Sequence, residues 1–544
     1  MIPTKENYQI PYYFSFAASL SVLSLLVALQ IFRGSIYIES YSVDIFTPLE
    51  GVLHLQQGHR PHLDFSSPVG IFYLVPYYLV SLFTSVSGMT IVYANALVGA
   101  FAFFLATAVG IGRLAPVSAG LFSLYVGLVA ISPRFLGFSL DHWIFDFTTY
   151  NAAYNRWGWS FYCILCLIVA LPKARDVDAR RHHFDAFITA FLLFVLFYLK
   201  ITYFMAGVGL VVVSLVTIRR SQIVRYGAAV ALALVLLFLL MELASHITVP
   251  YLDDLKSAAA AQPHRFRIAS FFRILFATFY EDLLILLIGV GAAVLAGTIA
   301  VDAFRKAILL AALLGSGLAV ATHNHFTYEV PIIPVVALIA FYLFFGSRAD
   351  VERTRGWNLV LYCMVVLVFL KPMVMDIGSL LRVSFHAGAR GPDVEWLRGT
   401  AFRDLEVGER HNSLRNGENK GPLCCANNDN EYLYVLSDGV ELLRRHMSRP
   451  ATVLPLTWSN PFPSLLGLPP VKHELLWWDA QRTFSASSHP NGRELLKEVD
   501  YVLIPKVEVP QGPGQLMREI YADNLRTAFV QIDESRYWTL VAKR

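Results

Sequence analysis

PVGIFYLVPYYLVSLF, residues 68–83, is the stretch on which the layout of the whole chain turns. It falls short of the ~20 residues a helix needs to cross a bilayer. It opens on Pro68, and Pro76 removes a backbone donor in the middle of the run. The basic loops give an independent criterion, because cytoplasmic loops collect Lys and Arg. If 68–83 stays on one side, the cytoplasmic loops hold Lys173, Arg175, Arg180 and Arg181; then Arg219, Arg220 and Arg225; then Arg305 and Lys306; then Arg348, Arg353 and Arg355. If it crosses, every one of these clusters lands outside. The run therefore reads as an interfacial helix or hairpin in the outer leaflet, within a long first external loop over 33–90.

Working outward, apolar runs of spanning character lie at about 12–32, 91–111, 114–132, 157–171, 184–199, 203–218, 225–245, 281–300, 307–322, 327–346 and 357–376. This predicts a polytopic α-helical membrane protein with about eleven transmembrane helices. The composition agrees: of 544 residues, 56% are hydrophobic and only 15% charged, with a mean hydropathy of +0.52, far too apolar for a soluble chain of this size. The net charge of +4 comes from short basic clusters between apolar runs, which excludes a nucleic-acid surface. Five cysteines, three of them inside apolar runs, make no disulfide framework or structural zinc site. The first run exceeds a signal-peptide core and lacks a small-residue cleavage site after it, so it reads as a span.

From about Asp376 charges, Gly, Pro and Asn become frequent and no further span follows. Helical spacing at 393–406, 430–447 and 512–524, short buried strands at 451–457 and 500–505, and a strand pair over 526–542 describe a soluble α/β domain. The segment 412–430 is rich in Gly and Asn and reads as a loop. The expected division is a membrane domain, 1–376, and a C-terminal domain, 377–544, on the periplasmic or extracytoplasmic side. The odd number of spans puts it there.

This topology collects polar residues at the outer helix ends. Asp44, Glu50 and Asp64 lie in the first external loop; Arg134, Asp141, His142, Asp146 and Arg156 in the second; then Lys200; and His323, His325, Tyr328 and Glu329 in a late loop. The middles of the spans are nearly free of charge, whereas a proton-coupled transporter carries ionisable groups near the midplane.

The first loop, residues 42–80, reads SVDIFTPLEGVLHLQQGHRPHLDFSSPVGIFYLVPYYLV. An Asp just beyond the first span is followed by an amphipathic helix, a turn at Gly58, His62-Leu63-Asp64-Phe65 and a Pro-led interfacial helix. This resembles the first external loop of the GT-C superfamily of glycosyltransferases, which includes protein O-mannosyltransferases and the lipid A aminoarabinose transferase. Further elements continue the resemblance in order over 12–346: the basic turn Gly112-Arg113; Ser132-Pro133 ahead of Asp141; the turn Phe197-Tyr198-Leu199-Lys200-Ile201-Thr202-Tyr203; and His325-Phe326-Thr327-Tyr328-Glu329-Val330-Pro331.

The resemblance implies a GT-C-like fold and transfer of a sugar from a polyprenyl-phosphate donor to a lipid, glycan or protein acceptor at the outer face, in what would be a bacterial inner membrane. Asp44 matches the first member of the family's Asp-Glu pair, which acts at the acceptor; Ile45 replaces the Glu, which weakens any metal claim. The residues fix no cofactor, and a divalent metal stays open.

Such chemistry needs a carboxylate to take the acceptor proton and cations to meet the leaving phosphate. Asp44 is the candidate base. Lys200, Arg156, Arg134, Asp141, His323, His325 and Tyr328 are candidates on the donor phosphate and sugar, and Asp64 and His62 on the acceptor side. Each has a plainer reading: Asp44 as a helix cap, Lys200 as a snorkelling anchor, and the His-Asn-His triplet at 323–325 as loop polarity, since it lacks a third nearby ligand. A lipid or polysaccharide transporter and a polyprenyl-diphosphate-dependent polymerase or ligase are the competing functions.

Overall fold

The computed structural model describes residues 5–39, 41–134, 148–150, 152–172, 179–219, 223–262, 268–295, 300–323, 330–344, 355–385, 396–397, 399–407, 429–507 and 513–544. Each of the eleven apolar runs falls on a helix: α1 (Lys5–Arg33), α4 (Met89–Gly110), α5 (Pro116–Ile131), α6 (Ala153–Ala170), α7 (Ala179–Leu199), α8 (Ile201–Thr217), α9 (Ile223–Ser245), α12 (Phe279–Leu295), α13 (Ala300–His323), α14 (Ile333–Phe344) and α15 (Arg355–Phe385). Among the described residues, five of these are long and apolar enough to cross a membrane, and α5, α7, α8 and α14 contribute shorter apolar helices. The α9 span buries only 6% of its residues inside the protein, and Leu232, Leu236, Leu239, Leu240 and Leu243 stand exposed on it. That surface is stable against lipid and not against water. The chain is an integral membrane protein.

Residues 68–83 do not form a span. They break into a single 3-10 turn, Ile71–Tyr73, and the seven-residue α3 (Val75–Ser81), the interruption Pro76 predicts. Ahead of them lies α2 (Val43–Gln56), with ten of its fourteen residues buried. Two described helices of the membrane half were not anticipated. α10 (Thr248–Ala261) follows α9 directly, and α11 (Ile268–Ala277) meets α12 at a 70° bend.

The helices approach closely where side chains are small. α1 packs on α5, and α5 on α4; a Cβ on Gly120 would lie 2.1 Å from the Ser15 hydroxyl, while the Ser19 hydroxyl donates to the Gly120 carbonyl at 3.1 Å. Small residues that let backbones touch are the usual route to helix association in lipid.

The first and last parts of the helical bundle are tied at one end. β1 (Ile36–Ile38) pairs in parallel with β2 (Leu405–Val407), and Arg33 reaches both the Glu406 carboxylate and the Val383 carbonyl. The helical spacing at 393–406 therefore misled: the described part of that segment holds turns and β2. Asp404 caps α4, accepting from the N–H groups of Gly88 (3.1 Å) and Met89 (2.7 Å).

The C-terminal segment forms α16 (Asp429–His446), β3 (Val453–Pro455), α17 (Phe462–Leu466), α18 (Gly492–Leu495), β4 (Tyr501–Pro505), α19 (Gly514–Ala528), β5 (Phe529–Glu534) and β6 (Trp538–Lys543). The sheet order is β3-β4-β6-β5, with β3 parallel to β4 and the other pairs antiparallel. The expected loop at 412–430 lies outside the described residues except for its last two positions, which open α16. A parallel β3–β4 pair obliges the chain to cross over between the strands. That crossover, residues 456–500, runs against the first loop: the Ser66 N–H donates to the Glu474 carbonyl (2.8 Å), the Leu476 N–H to the Ser66 carbonyl (3.0 Å) and the His473 N–H to the Asp64 carbonyl (2.6 Å).

Candidate active site

Asp44 occupies the first turn of α2, where the helix dipole favours a negative charge. The crossover reaches it from above. The Trp458 indole N–H donates to Asp44 Oδ1 at 3.0 Å, and the Ser459 hydroxyl donates to the Val43 carbonyl at 3.3 Å.

The loop behind α2 returns to the bundle through Gly70. A Cβ there would lie 2.1 Å from the Tyr198 carbonyl oxygen, so only glycine lets the backbone pass so close to the end of α7. The next turn carries Tyr73 into the interior. Its ring lies 5.0 Å from that of Tyr154 and 5.7 Å from that of Tyr77. Burial first, then Tyr77, Tyr154 and the Asp44 carboxylate, hold its phenol well above the ordinary tyrosine range. The phenol is thus a neutral hydrogen-bonding group at any physiological pH.

Tyr154, at the start of α6, connects this wall to the cation. The Lys200 ammonium lies 5.2 Å from the centre of its ring and donates to Asn155 Oδ1 at 2.8 Å. Trp477 of the crossover stacks on Tyr154, 6.4 Å away at 14° between planes. Lys200 itself sits in extended backbone between α7 and α8 and is buried. It does not reach out toward solvent as a snorkelling anchor would. Lys200 and the aromatic wall of Tyr73, Tyr154 and Trp477 therefore form a connected group, and the Asp44 charge is felt at its Tyr73 end.

The two arginines that the sequence grouped with Lys200 are engaged elsewhere. Arg156 donates to Asp376 Oδ1 (2.9 Å) and to the carbonyls of Val129 and Arg134 (both 2.8 Å), and Arg134 donates to the same Asp376 oxygen at 3.0 Å. All three side chains are buried. This is a charged brace joining α5, α6 and α15, while the neighbouring Asn155 accepts from Lys200 instead.

Of the two residues expected to face the acceptor, His62 Nδ1 pairs with the Asp254 carboxylate of α10 at 2.8 Å, whereas Asp64 closes a local turn by accepting from the Arg60 N–H at 2.7 Å. Around them the first loop, α10 and the crossover enclose a pocket of ≈ 200 Å³ whose lining includes Ser66, Asp254, His473 and Glu494. His323 is the last residue of α13. Asp141, His325 and Tyr328 lie outside the described residues.

One group offers metal ligands. Glu50 and His54 are four apart on α2 and meet Glu474 of the crossover, with one ligand atom from each within 4.8 Å of the others. Glu50 is held well above the usual carboxylate range, by burial and then by Glu474, while the Asn460 N–H partly offsets this. The sequence listed Glu50 among loop acids and passed over His54. Their spacing on one helical face was the available signal, but nothing near them in sequence points to Glu474. Trp458, Trp477, Asp254 and Asp376 were likewise missed, each coming from a distant segment.

No family model and no curated protein matches the chain. Solved structures do. The chain is similar to ArnT from Cupriavidus metallidurans in the apo state, at 12% identity and a TM-score of 0.48, over 96% of this chain and 97% of that one. It is similar to the same protein bound to undecaprenyl phosphate, at 11% identity and 0.43, over 99% and 98%. The archaeal oligosaccharyltransferase AglB from Archaeoglobus fulgidus, in complex with an inhibitory peptide and a dolichol-phosphate, follows at 12% identity and 0.38, over 89% and 69%. At such identities and TM-scores no residue's role is carried across.

Proposed function

We propose that the chain is a glycosyltransferase that moves a sugar from a polyprenyl-phosphate donor to a hydroxyl acceptor on a lipid, glycan or protein, at the outer face of a bacterial inner membrane. The observation that carries this reading is the grouping of Asp44 with Lys200 across the Tyr73–Tyr154 wall. Asp44 takes the proton from the acceptor hydroxyl as its oxygen attacks the anomeric carbon. The bond from that carbon to the phosphate oxygen breaks, and polyprenyl phosphate leaves with the electron pair. The Lys200 ammonium meets the charge gained by the phosphate, where a preformed cation is worth most because water is excluded. Tyr73, Tyr154 and Trp477 offer the flat apolar faces against which a sugar ring packs. The exposed apolar helices keep the lipid tail in the bilayer while its headgroup sits at the helix ends.

On this reading the pocket between His62, Asp254 and the crossover receives part of the acceptor, and the C-terminal domain, placed outside the membrane, restricts what enters. The test is direct. Purified protein given a labelled polyprenyl-phosphate sugar and a candidate acceptor should release polyprenyl phosphate in step with sugar transfer. Movement of intact donor across vesicles without release would identify a transporter instead, and activity confined to diphosphate-linked oligosaccharides a polymerase or ligase.

A further inference from the structure

The Glu50–His54–Glu474 group has no part in the transfer chemistry, and its surroundings are those of a bound ion. All three residues are fully buried. Among the described residues no Lys or Arg pairs with either carboxylate; the ion-pair contact is His54 Nε2 to Glu474 Oε1 at 3.2 Å. Glu50 Oε1 and Glu474 Oε2 are buried with no donor from another described residue, and the two carboxyl groups lie within hydrogen-bonding reach of each other. Two carboxylates taken out of water without a cation are costly to fold.

One ligand pair is spaced as around a small tetrahedral ion, and all three ligand atoms lie within 4.8 Å of one another. Ligand atoms bound at about 2.0–2.1 Å with tetrahedral angles stand about 3.3 Å apart, close to the 3.2 Å between His54 Nε2 and Glu474 Oε1. The back of the imidazole is held as a ligating histidine requires. His54 Nδ1 lies 2.9 Å from His59 Nδ1, a contact that fixes the ring and leaves Nε2 facing the carboxylates. Phe65 stacks on the His54 ring at 4.3 Å, and the Asn460 N–H donates to Glu50 Oε2 at 3.1 Å. These close the site and orient the first carboxylate.

We infer that Glu50, His54 and Glu474 bind a divalent transition-metal ion of the zinc class, which fastens α2 to the crossover of the C-terminal domain. One imidazole with two carboxylates suits Zn²⁺. Mg²⁺ prefers an octahedral oxygen shell with several retained waters, which an imidazole ligand in a buried site does not supply. The ion's work is structural: Asp44 stands at the start of the helix that carries Glu50 and His54, and its partner Trp458 belongs to the segment that carries Glu474. The ion sets the spacing between these two elements.

The experiment uses the full chain in detergent, with any affinity tag removed, and needs neither donor nor acceptor, so it stands apart from the transferase reading. Elemental analysis should find one zinc per chain. EDTA treatment should remove it and lower the Tm by several degrees, and ZnCl2 alone should restore both. His54→Gln and Glu474→Gln should abolish zinc retention and the Tm response, and His59→Ala should weaken zinc affinity by about 10–100-fold. If the ligand variants fail to fold, removal and reloading of the unaltered chain decides. An unaltered chain that carries no metal and whose Tm ignores ZnCl2 overturns the inference and leaves a proton shared by the carboxylates. An undiminished response in His54→Gln, or an equal rise with MgCl2, overturns it as well.

Discussion

Trp458 and Asp44, 414 positions apart, meet through a 3.0 Å hydrogen bond from the indole N–H to the carboxylate. In the proposed reaction Asp44 is the base, and this bond ties its carboxylate to the crossover. Hydrogen bonds to charged groups contribute roughly 1.5–3 kcal/mol. Trp458→Phe keeps the ring and removes the donor, so turnover should fall by about tenfold or more with donor affinity unchanged. Steady-state kinetics beside a direct donor-binding assay measure both; loss of donor affinity with turnover intact would contradict the assignment.

Asp44→Asn is the stronger perturbation. It keeps the size and the contact with Trp458 but removes the basic charge, and general-base assistance is worth ~10²–10⁴ in rate. Transfer at saturating donor and acceptor should slow at least about a hundredfold. Asp64→Asn should stay near normal, because the Asp64 carboxylate serves a local turn, and Asp141→Asn completes the comparison. Near-normal turnover by Asp44→Asn would pass the role of base to another carboxylate.

Lys200 should matter as charge. Lys200→Gln retains a donor for Asn155 yet removes the cation above Tyr154, and donor affinity should drop by about tenfold or more, as truncation of a buried charged partner does. Lys200→Arg should keep part of it. Binding of a labelled polyprenyl-phosphate sugar gives the readout, and wild-type affinity in the Gln variant would return Lys200 to a purely structural role.

Asp376 holds two arginines with one oxygen. Removing one partner of a buried ion group strands the others and typically costs about 3–5 kcal/mol. Asp376→Asn should therefore lower thermal stability far more than Lys200→Gln does. A Tm equal to that of the unaltered chain would show that the brace is dispensable.

Gly70 sets the approach of the first loop to α7. Gly70→Ala drives a methyl into the Tyr198 carbonyl, and overpacking of this kind costs about 1–3 kcal/mol. The loop must shift and take Tyr73 with it, so both Tm and turnover should fall. A chain with unchanged Tm would mean that the loop has room to yield.

What the sequence could disclose follows from range. Apolar runs, the break at Pro76 and the strands near 451–457, 500–505 and 526–542 are local patterns, and all appear in the structure. Asp44 and Lys200 stand out because each is a charge beside a span. Trp458, Trp477 and Glu474 meet the first loop and the start of α6, and Asp376 holds the arginines, but all four arrive from distant segments and no local pattern marks them. Arg156 shows the converse: its position near the outer ends of the spans recommended it for phosphate, whereas its side chain is committed to Asp376 and two carbonyls. At 393–406 a spacing compatible with a helix lost to tertiary pairing, since Leu405–Val407 complete a sheet edge offered by Ile36–Ile38.

That last pairing orders the assembly of the protein in time. Arg33 and Glu406 are 373 positions apart, so during synthesis β1 emerges beside the first helix and then waits, its edge unpaired, while the intervening helices are inserted. Only when the segment after α15 is made can the strand be covered. An exposed edge invites pairing with another chain, and a nascent chain stalled before Leu405 should be prone to misassembly at Ile36–Ile38. The closing of the bundle is then a late event in biogenesis, made by three residues at each end.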